Sequence, residues 1–359
     1  MALPSLPKQS KRRLLYLSYC LAGSIALILS LAFLSEAAKN SSNAFIRMAP
    51  SHVAMPTQIR DLHSASWYLA GGTPTRFYLA NRSAPALLME IGMQLKDSTL
   101  HYLSLISLSN RISKSLKITV DSPNISLAEG VSPLLAGGRV GDTTLHRLAN
   151  HAYFGLAAPL SPSTQILRAT DARLKQNILL KQTPDTLMSK GPILEKQVDG
   201  IFCTDGYLHA QPDSNRLIYI YSYRNQWICL DTNLNIRYKA RTIDTISRVK
   251  FSVGSIPSQH ALTLSSPPTF VNQQSCINGN YLFVHSALRA DNDERDLYEM
   301  SSPIDVYSLI DGKYLLSFYL PDYRKHKIRD FRVFGNTLVA LYDHYAYTYT
   351  LFFPPKLQK

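Results

Sequence analysis

Asp291-Asn292-Asp293 is the most suggestive spacing in the chain for chemistry. Two carboxylates one residue apart can present oxygen ligands to a hard cation, and many glycosyltransferases hold a metal–nucleotide sugar on this D-x-D pattern. A nucleotide-binding domain, however, needs strands alternating with helices, and here the flanking Arg289–Glu299 is a charged run between strand-like segments. The expectation is a solvated inter-strand loop. An EF-hand is excluded, because the segment lacks both the sixth-position Gly and the closing Glu.

Other constellations are thin. His146 and His151 stand five apart without a neighbouring carboxylate, and no H-E-x-x-H occurs, so no metal site is expected. There is no G-x-S-x-G and no Gly-rich phosphate loop; Gly71-Gly72 and Gly137-Gly138 read as turn glycines. Asp199-Gly200 and Asp205-Gly206 place two turns around Cys203. A reactive thiol needs a cationic neighbour to favour thiolate, and none adjoins Cys203 in sequence. No catalytic residue and no cofactor is therefore expected, and the binding residues stay open.

Cys203, Cys229 and Cys276 follow the N-terminal segment, an odd number in no C-x-x-C arrangement. One bridge is permitted, but the sequence does not choose the pair. Cys229, within Trp227-Ile228-Cys229-Leu230, reads as a buried strand thiol. Asn40, Asn81 and Asn124 each begin an N-x-S sequon, a frequency that chance explains in a Ser-rich chain.

The formal net charge is +13 over 359 residues. The densest basic cluster, Arg324-Lys325-His326-Lys327 with Arg329 and Arg332, reads as a solvated loop before a strand, with an anion- or lipid-headgroup-binding patch as the alternative. Charge this diffuse does not make the stripe or arm of a nucleic-acid binder.

The elements that would position these residues begin with a basic tail over residues 1–13, holding Lys8, Lys11, Arg12 and Arg13. Residues 14–34, LLYLSYCLAGSIALILSLAFL, then run without a charge. At about 1.5 Å per residue such a helix spans roughly 30 Å, the thickness of a bilayer core. It exceeds the ~7–15 apolar residues of a cleavable signal, which favours a retained anchor. Ser35 and Ala37 still offer small residues for cleavage near Ala37, which would release a secreted form. Cys20 sits mid-span after Tyr19 and does not read as a lipoprotein cysteine. By the positive-inside rule the N-terminus stays in the cytoplasm and the bulk lies outside, in the periplasm of a Gram-negative cell. Residues 35–60 read as a tether, 61–353 as the folded domain and 354–359 as a tail.

Beyond the tether, long helical periodicity is nearly absent; Ala172–Lys181 is the one short helix expected. Tyr is in excess at 21 residues, which suits pleated, half-buried surfaces. Ile304–Phe318 alternates on both sides of Asp311-Gly312, predicting a hairpin with a type I′ turn. Ile328–Phe334, Gly335-Asn336 and Thr337–Tyr342 predict a second, followed by Tyr345–Phe352. Arg216–Tyr223 and Gln226–Leu230, Ser66–Ala70 and Arg76–Leu79, and Tyr281–Ser286 after Asn278-Gly279-Asn280 repeat the grammar. Groups of three or four strands recurring every 40–50 residues predict a β-propeller of six or seven blades, with a long β-sandwich as the competing all-β fold.

On these residues the chain resembles a known architecture. Ile304–Phe318 resembles the outer hairpin of WD40-like and NHL-like blades, and Ile328–Tyr342 resembles the inner strands of such a blade. The chain is similar to membrane-anchored or exported propeller-like proteins of bacteria, of the TolB-like and NHL-like six-bladed kind, over most of its exported part. The Gly-His and Trp-Asp pairs of true WD40 repeats do not occur. The resemblance implies fold and brings no catalytic residue. The functional expectation is a non-enzymatic, membrane-tethered scaffold binding a protein or small ligand. The alternative is a hydrolase or lyase whose site converges from several blades at the channel mouth.

Overall fold

A computed structural model describes residues 8–39, 42–105, 115–142, 145–148, 152–256 and 261–353. It separates into two units, Met1–Asn43 and Ala44–Lys359.

The first unit holds the helix Lys8–Lys39. Its central Leu15–Phe33 is long and apolar enough to cross a membrane and buries nothing within the protein. Such a side-chain row, Leu17, Leu21 and Ile28 among them, is left without apolar partners by the fold itself.

The second unit is a β-propeller. Among the described residues, its strands form six four-stranded antiparallel groups, here numbered as blades by their innermost strands. These strands are Trp67–Gly72 (blade 1), Lys117–Asp121 (blade 2), Leu156–Pro159 (blade 3), Gly206–Gln211 (blade 4), Asn272–Asn278 (blade 5) and Asp330–Phe334 (blade 6). Blades 1 and 2 touch through a parallel pairing of Gly71 with Val120. A Cβ on Gly71 would lie 1.8 Å from the Val120 carbonyl oxygen, so only glycine permits this approach. An extra hairpin, Val253–Ile256 with Ala261–Leu264, separates blades 4 and 5.

Ring closure comes from the chain's beginning. Ala54–Asp61 is the outermost strand of blade 6, paired antiparallel with Tyr345–Leu351. The propeller thus starts well before residue 61: residues 54–60, expected as tether, are a strand. Their polar composition concealed it, because an outermost strand leaves most side chains in solvent.

The core is a ring of interfaces between blades. Leu69, Phe77, Val339 and Leu341 join blades 6 and 1; Ile118, Leu127 and Tyr78 join 1 and 2; Leu135, Leu167 and Leu180 join 2 and 3. Ile166, Leu217 and Tyr219 join 3 and 4, Trp227, Val284 and Tyr307 join 4 and 5, and Phe283, Phe318, Phe331 and Leu338 join 5 and 6. Middle strands are therefore apolar on both faces, as in Arg216–Tyr221 and Thr337–Tyr342. Tyr side chains, which bury large area, stand in four of these six interfaces, among them Tyr68, Tyr219, Tyr307 and Tyr342.

The hairpins flanking Asp311-Gly312 and Gly335-Asn336 are present. The first turn is not type I′. That turn needs positive φ at both central residues, and only Gly312 has it, at +77°. The connection is a five-residue loop, with Lys313 accepting from Ser308 N–H at 2.8 Å. Ala172–Lys181 is not a helix. Lys175 turns the chain at φ +49°, and Gln176–Gln182 is the third strand of blade 3, buried on both faces. Its continuous apolar run mimics helical spacing, and sheet pairing decides the outcome. Gly71-Gly72 and Gly137-Gly138 lie in strands, not turns.

Candidate functional site

The six innermost strands surround a central channel of about 630 Å³. A strand alternates its side chains, so every second residue of each innermost strand faces the lumen or a neighbouring blade. The walls hold Lys117, His209, Gln274, Asp330 and Arg332, with Tyr68 and Arg82 from blade 1 and Arg329 leading into blade 6.

These residues gather at the end where the innermost strands begin. The Gly71–Val120 register sets Tyr68 level with Lys117, and the Tyr68 hydroxyl accepts from Ile118 N–H at 2.8 Å. The Arg82 guanidinium lies 5.3 Å from the Tyr68 ring centroid, a cation–π geometry. Arg329 donates to the carbonyl oxygens of Trp67 and Asp343 at 2.6 Å each. Arg332 donates to Ala70 O at 3.4 Å. Asp330 accepts from Leu69 N–H at 2.8 Å and from the Gln274 amide at 2.5 Å. Four cations thus surround one carboxylate that is already hydrogen-bonded.

The Lys117 ammonium is exposed to the lumen but ringed by protein, and it makes no hydrogen bond or ion pair among the described residues. Partial desolvation inside the channel, then the charges of Arg332 and Arg82, lower its pKa, with Asp330 opposing. His209 Nε2 lies 2.7 Å from Ser275 Oγ. Desolvation, then Arg332 and Lys117, push its pKa down to about 3, so the imidazole is neutral at physiological pH.

The other end of the lumen carries Asp121 and Asp213. Burial and then Asp213 raise the Asp121 carboxyl above its usual range. Four residues at ~3.3 Å each separate Lys117 from Asp121, about 13 Å. The channel is basic at one end and acidic at the other.

The basic cluster near residue 324 divides. Arg324, Lys325, His326 and Lys327 are exposed, as a solvated loop should be, and Arg324 stacks on Tyr323 and Tyr345. Arg329 and Arg332, by contrast, join the channel wall. Lys117, Arg82 and His209 were missed by motif reading because each comes from a different blade. The only sequence signal was polar residues inside strand-like segments.

The D-x-D segment is an inter-strand turn with Asp291 and Asn292 exposed, as a solvated loop should be, and Asp293 alone departs from that expectation. Asp293 is buried, paired with the guanidinium of Arg47, and accepts from Tyr319 OH at 2.5 Å. Arg47 Nε donates to Asp305 at 2.8 Å, and Nη2 donates to Leu288 O at 2.9 Å. Burial opposes this charge, but Asp305 and then Asp293 outweigh it and hold the guanidinium above its usual pKa. Asn292 exchanges two hydrogen bonds with the Arg47 backbone, each 2.9 Å. The segment clamps residues 45–48 onto blade 5, and the Asp293 carboxylate is committed to Arg47 and Tyr319.

Cys203 is buried, its thiol donating to Asp199 O at 2.6 Å, while the Asp199 carboxylate accepts from the N–H groups of residues 201–203. Cys229 is a buried strand thiol, and burial raises Cys276 to about 12. All three are free. His146 is exposed on a short strand, and His151 lies outside the described residues. Asn81 accepts from the N–H groups of Ser83 and Ala84 in a turn. Asn124 opens a strand, and Asn40 lies outside the described residues.

No protein-family model matches this chain, and no curated protein matches it. Solved structures do, at low identity. A catalytically inactive virginiamycin B lyase from Staphylococcus aureus with quinupristin shares 13% identity and a TM-score of 0.46, covering 82% of this chain and 99% of that one. YCF48 bound to D1 peptide shares 9% at a TM-score of 0.46, covering 87% and 100%. A member of the DUF4221 family from Bacteroides vulgatus shares 12% at a TM-score of 0.46, covering 87% and 99%. The blade topology above is what defines the fold, and no residue role passes from these proteins.

Proposed function

We propose that this protein is a single-pass, membrane-tethered propeller that binds a small ligand non-enzymatically in its central channel. The tail carrying Lys8, Lys11, Arg12 and Arg13 stays in the cytoplasm, and the propeller stands outside, in the periplasm where the cell has one. Four basic residues before the span against Lys39 after it support this orientation. Cleavage near Ala37 would instead release the propeller. The observation that carries the reading is the channel: an open space of about 630 Å³ with converging polar walls, the shape and chemistry of a small-molecule site. Its His209 is held neutral and its Asp330 is committed to two donors, which suits recognition better than proton transfer.

The test is a thermal-shift screen of the full chain in detergent micelles, repeated with Thr119→Trp, which fills the lumen. Compounds that stabilise the native protein and lose their effect on the variant support the reading. Hits that stabilise both equally, or turnover of a hit, refute it. One observation favours the runner-up, an enzyme whose site is assembled from several blades. Lys117, unpaired and with lowered pKa among arginines, has the environment of a nucleophilic amine.

A further inference from the structure

We propose that the basic end of the channel is an oxyanion site, taking a small ligand that carries at least two carboxylate or phosphate charges between Lys117, Arg82 and Arg332. This rests on the channel being a ligand site and names the chemical class it selects.

Three of the four cations at this end have donors to spare. Lys117 uses none of its ammonium protons on the described residues. Among the described residues the Arg82 guanidinium meets only the face of Tyr68, at 5.3 Å, which takes up none of its N–H donors. Arg332 makes one long bond, 3.4 Å to Ala70 O. A guanidinium offers five N–H donors and an ammonium three, and oxyanions are the groups that match them, in bidentate fashion at arginine.

Among the described residues, one carboxylate offsets four cations. Asp330 is that carboxylate, and its two oxygens already accept from Leu69 and Gln274. The cations repel one another: Arg332 and Arg82 both disfavour the charge on Lys117, and Arg332 and Lys117 both disfavour a charge on His209. Holding like charges together in a walled channel lowers stability, and a bound anion removes that repulsion. Low-dielectric walls also focus the positive potential on the lumen. The neutral His209 beside Ser275 adds polar recognition without a further charge.

The opposite end gives the site a direction. Asp121 lies about 13 Å along its strand from Lys117, and Asp213 lines the same channel and acts on the Asp121 charge. An anion that travels that far meets repulsion, so the ligand's charged groups stay at the arginine end. Its neutral or cationic part points towards the carboxylates.

The experiment titrates the full chain in uncharged detergent micelles with pyrophosphate and, separately, with citrate. Both are followed by calorimetry at matched ionic strength, in a series at low and high salt, with chloride as the reference and sucrose as the uncharged control. Saturable binding of either anion is expected, weakening as salt rises. Lys117→Met and Arg82→Met each reduce affinity at least tenfold. Lys117→Arg retains binding, and Asp330→Asn tightens it. Lys325→Met, in the exposed loop, leaves it unchanged and controls for general surface charge. The two anions separate a phosphate ligand from a carboxylate one. Anion binding that is equal in native protein and in both methionine variants overturns the proposal. If only uncharged compounds bind, and Thr119→Trp abolishes them, the anion assignment falls while the channel reading stands. If nothing binds, both fall.

Discussion

Arg47→Met tests the clamp that fastens residues 45–48 to blade 5. The substitution keeps the length of the side chain and removes its charge. It deletes the ion pair with Asp293 and the bonds to Asp305 and Leu288 O. Asp293 retains Tyr319 OH and Ala290 N–H, and Asp305 retains Ser317 OH. Both carboxylates would then be buried without a cation. Protonating one at pH 7 from an ordinary pKa near 4 costs roughly 4 kcal/mol, about 1.4 kcal/mol per pH unit. Removing one member of a buried pair typically costs ~3–5 kcal/mol. Peeling residues 45–48 away to admit water limits the loss to the free energy of docking that segment. The expected destabilisation is therefore about 3–5 kcal/mol at pH 7.

The pH dependence identifies the cause. In the variant the folded-state pKa of each carboxyl rises above its unfolded value near 4. The penalty is therefore fully present above the folded pKa and disappears as pH falls towards 4. Urea unfolding of the full chain in micelles at pH 7, 6 and 5 should show the gap between native and variant narrowing with acid. Adding Asp293→Asn and Asp305→Asn to the variant should recover most of the loss at pH 7. A gap under 0.5 kcal/mol, or one that does not change with pH, would refute the buried-charge argument.

Other expectations follow from particular contacts. Gly71→Ala drives a methyl into the Val120 carbonyl and should lower stability by ~1–3 kcal/mol, as overpacking does; an unchanged melting temperature contradicts the blade 1–2 junction. His209 and His285 have pKa values pushed down to about 3 and about 4 by burial first, then by Arg332 and Lys117 for one and Lys327 and Arg47 for the other. Because the folded values lie below the unfolded 6.5, their contribution is present above pH 6.5 and is lost as pH falls towards 4. NMR titration should find neither imidazole charging between pH 8 and 5, and either one titrating near 6.5 refutes its environment. Two arginines at Leu27 and Ile28 in the apolar helix cost about 5–7 kcal/mol at mid-span and should move the protein from the membrane to the soluble fraction; unchanged carbonate-resistant membrane association contradicts the anchor. An anionic aldehyde reduced onto the protein at pH 8 should label Lys117 ahead of exposed Lys325, as mapped by peptide mass spectrometry, whereas equal labelling removes the case for an activated amine.

The amino-acid sequence by itself determined the local grammar. Leu14–Leu34 is predominantly apolar and carries no charge, so its helix Lys8–Lys39 needs no tertiary context to be read. The strands about Gly335-Asn336 and Arg224-Asn225 are legible because alternation and turn residues act over fewer than ten positions. Tertiary structure decided the rest, for identifiable reasons. Ala54–Asp61 is polar because it is outermost, and it becomes a strand only by meeting Tyr345–Leu351 from the far end of the chain. Gln176–Gln182 is apolar on both faces, so periodicity could not separate strand from helix. Asp293 read as a loop carboxylate because its partner, Arg47, lies 246 residues away. The channel lining is hidden most deeply. Five of the six blades contribute polar residues with no motif between them, blade 3 lining the channel with Leu156–Pro159 alone, and only closure of the ring brings Lys117, Arg82 and Arg332 around one lumen.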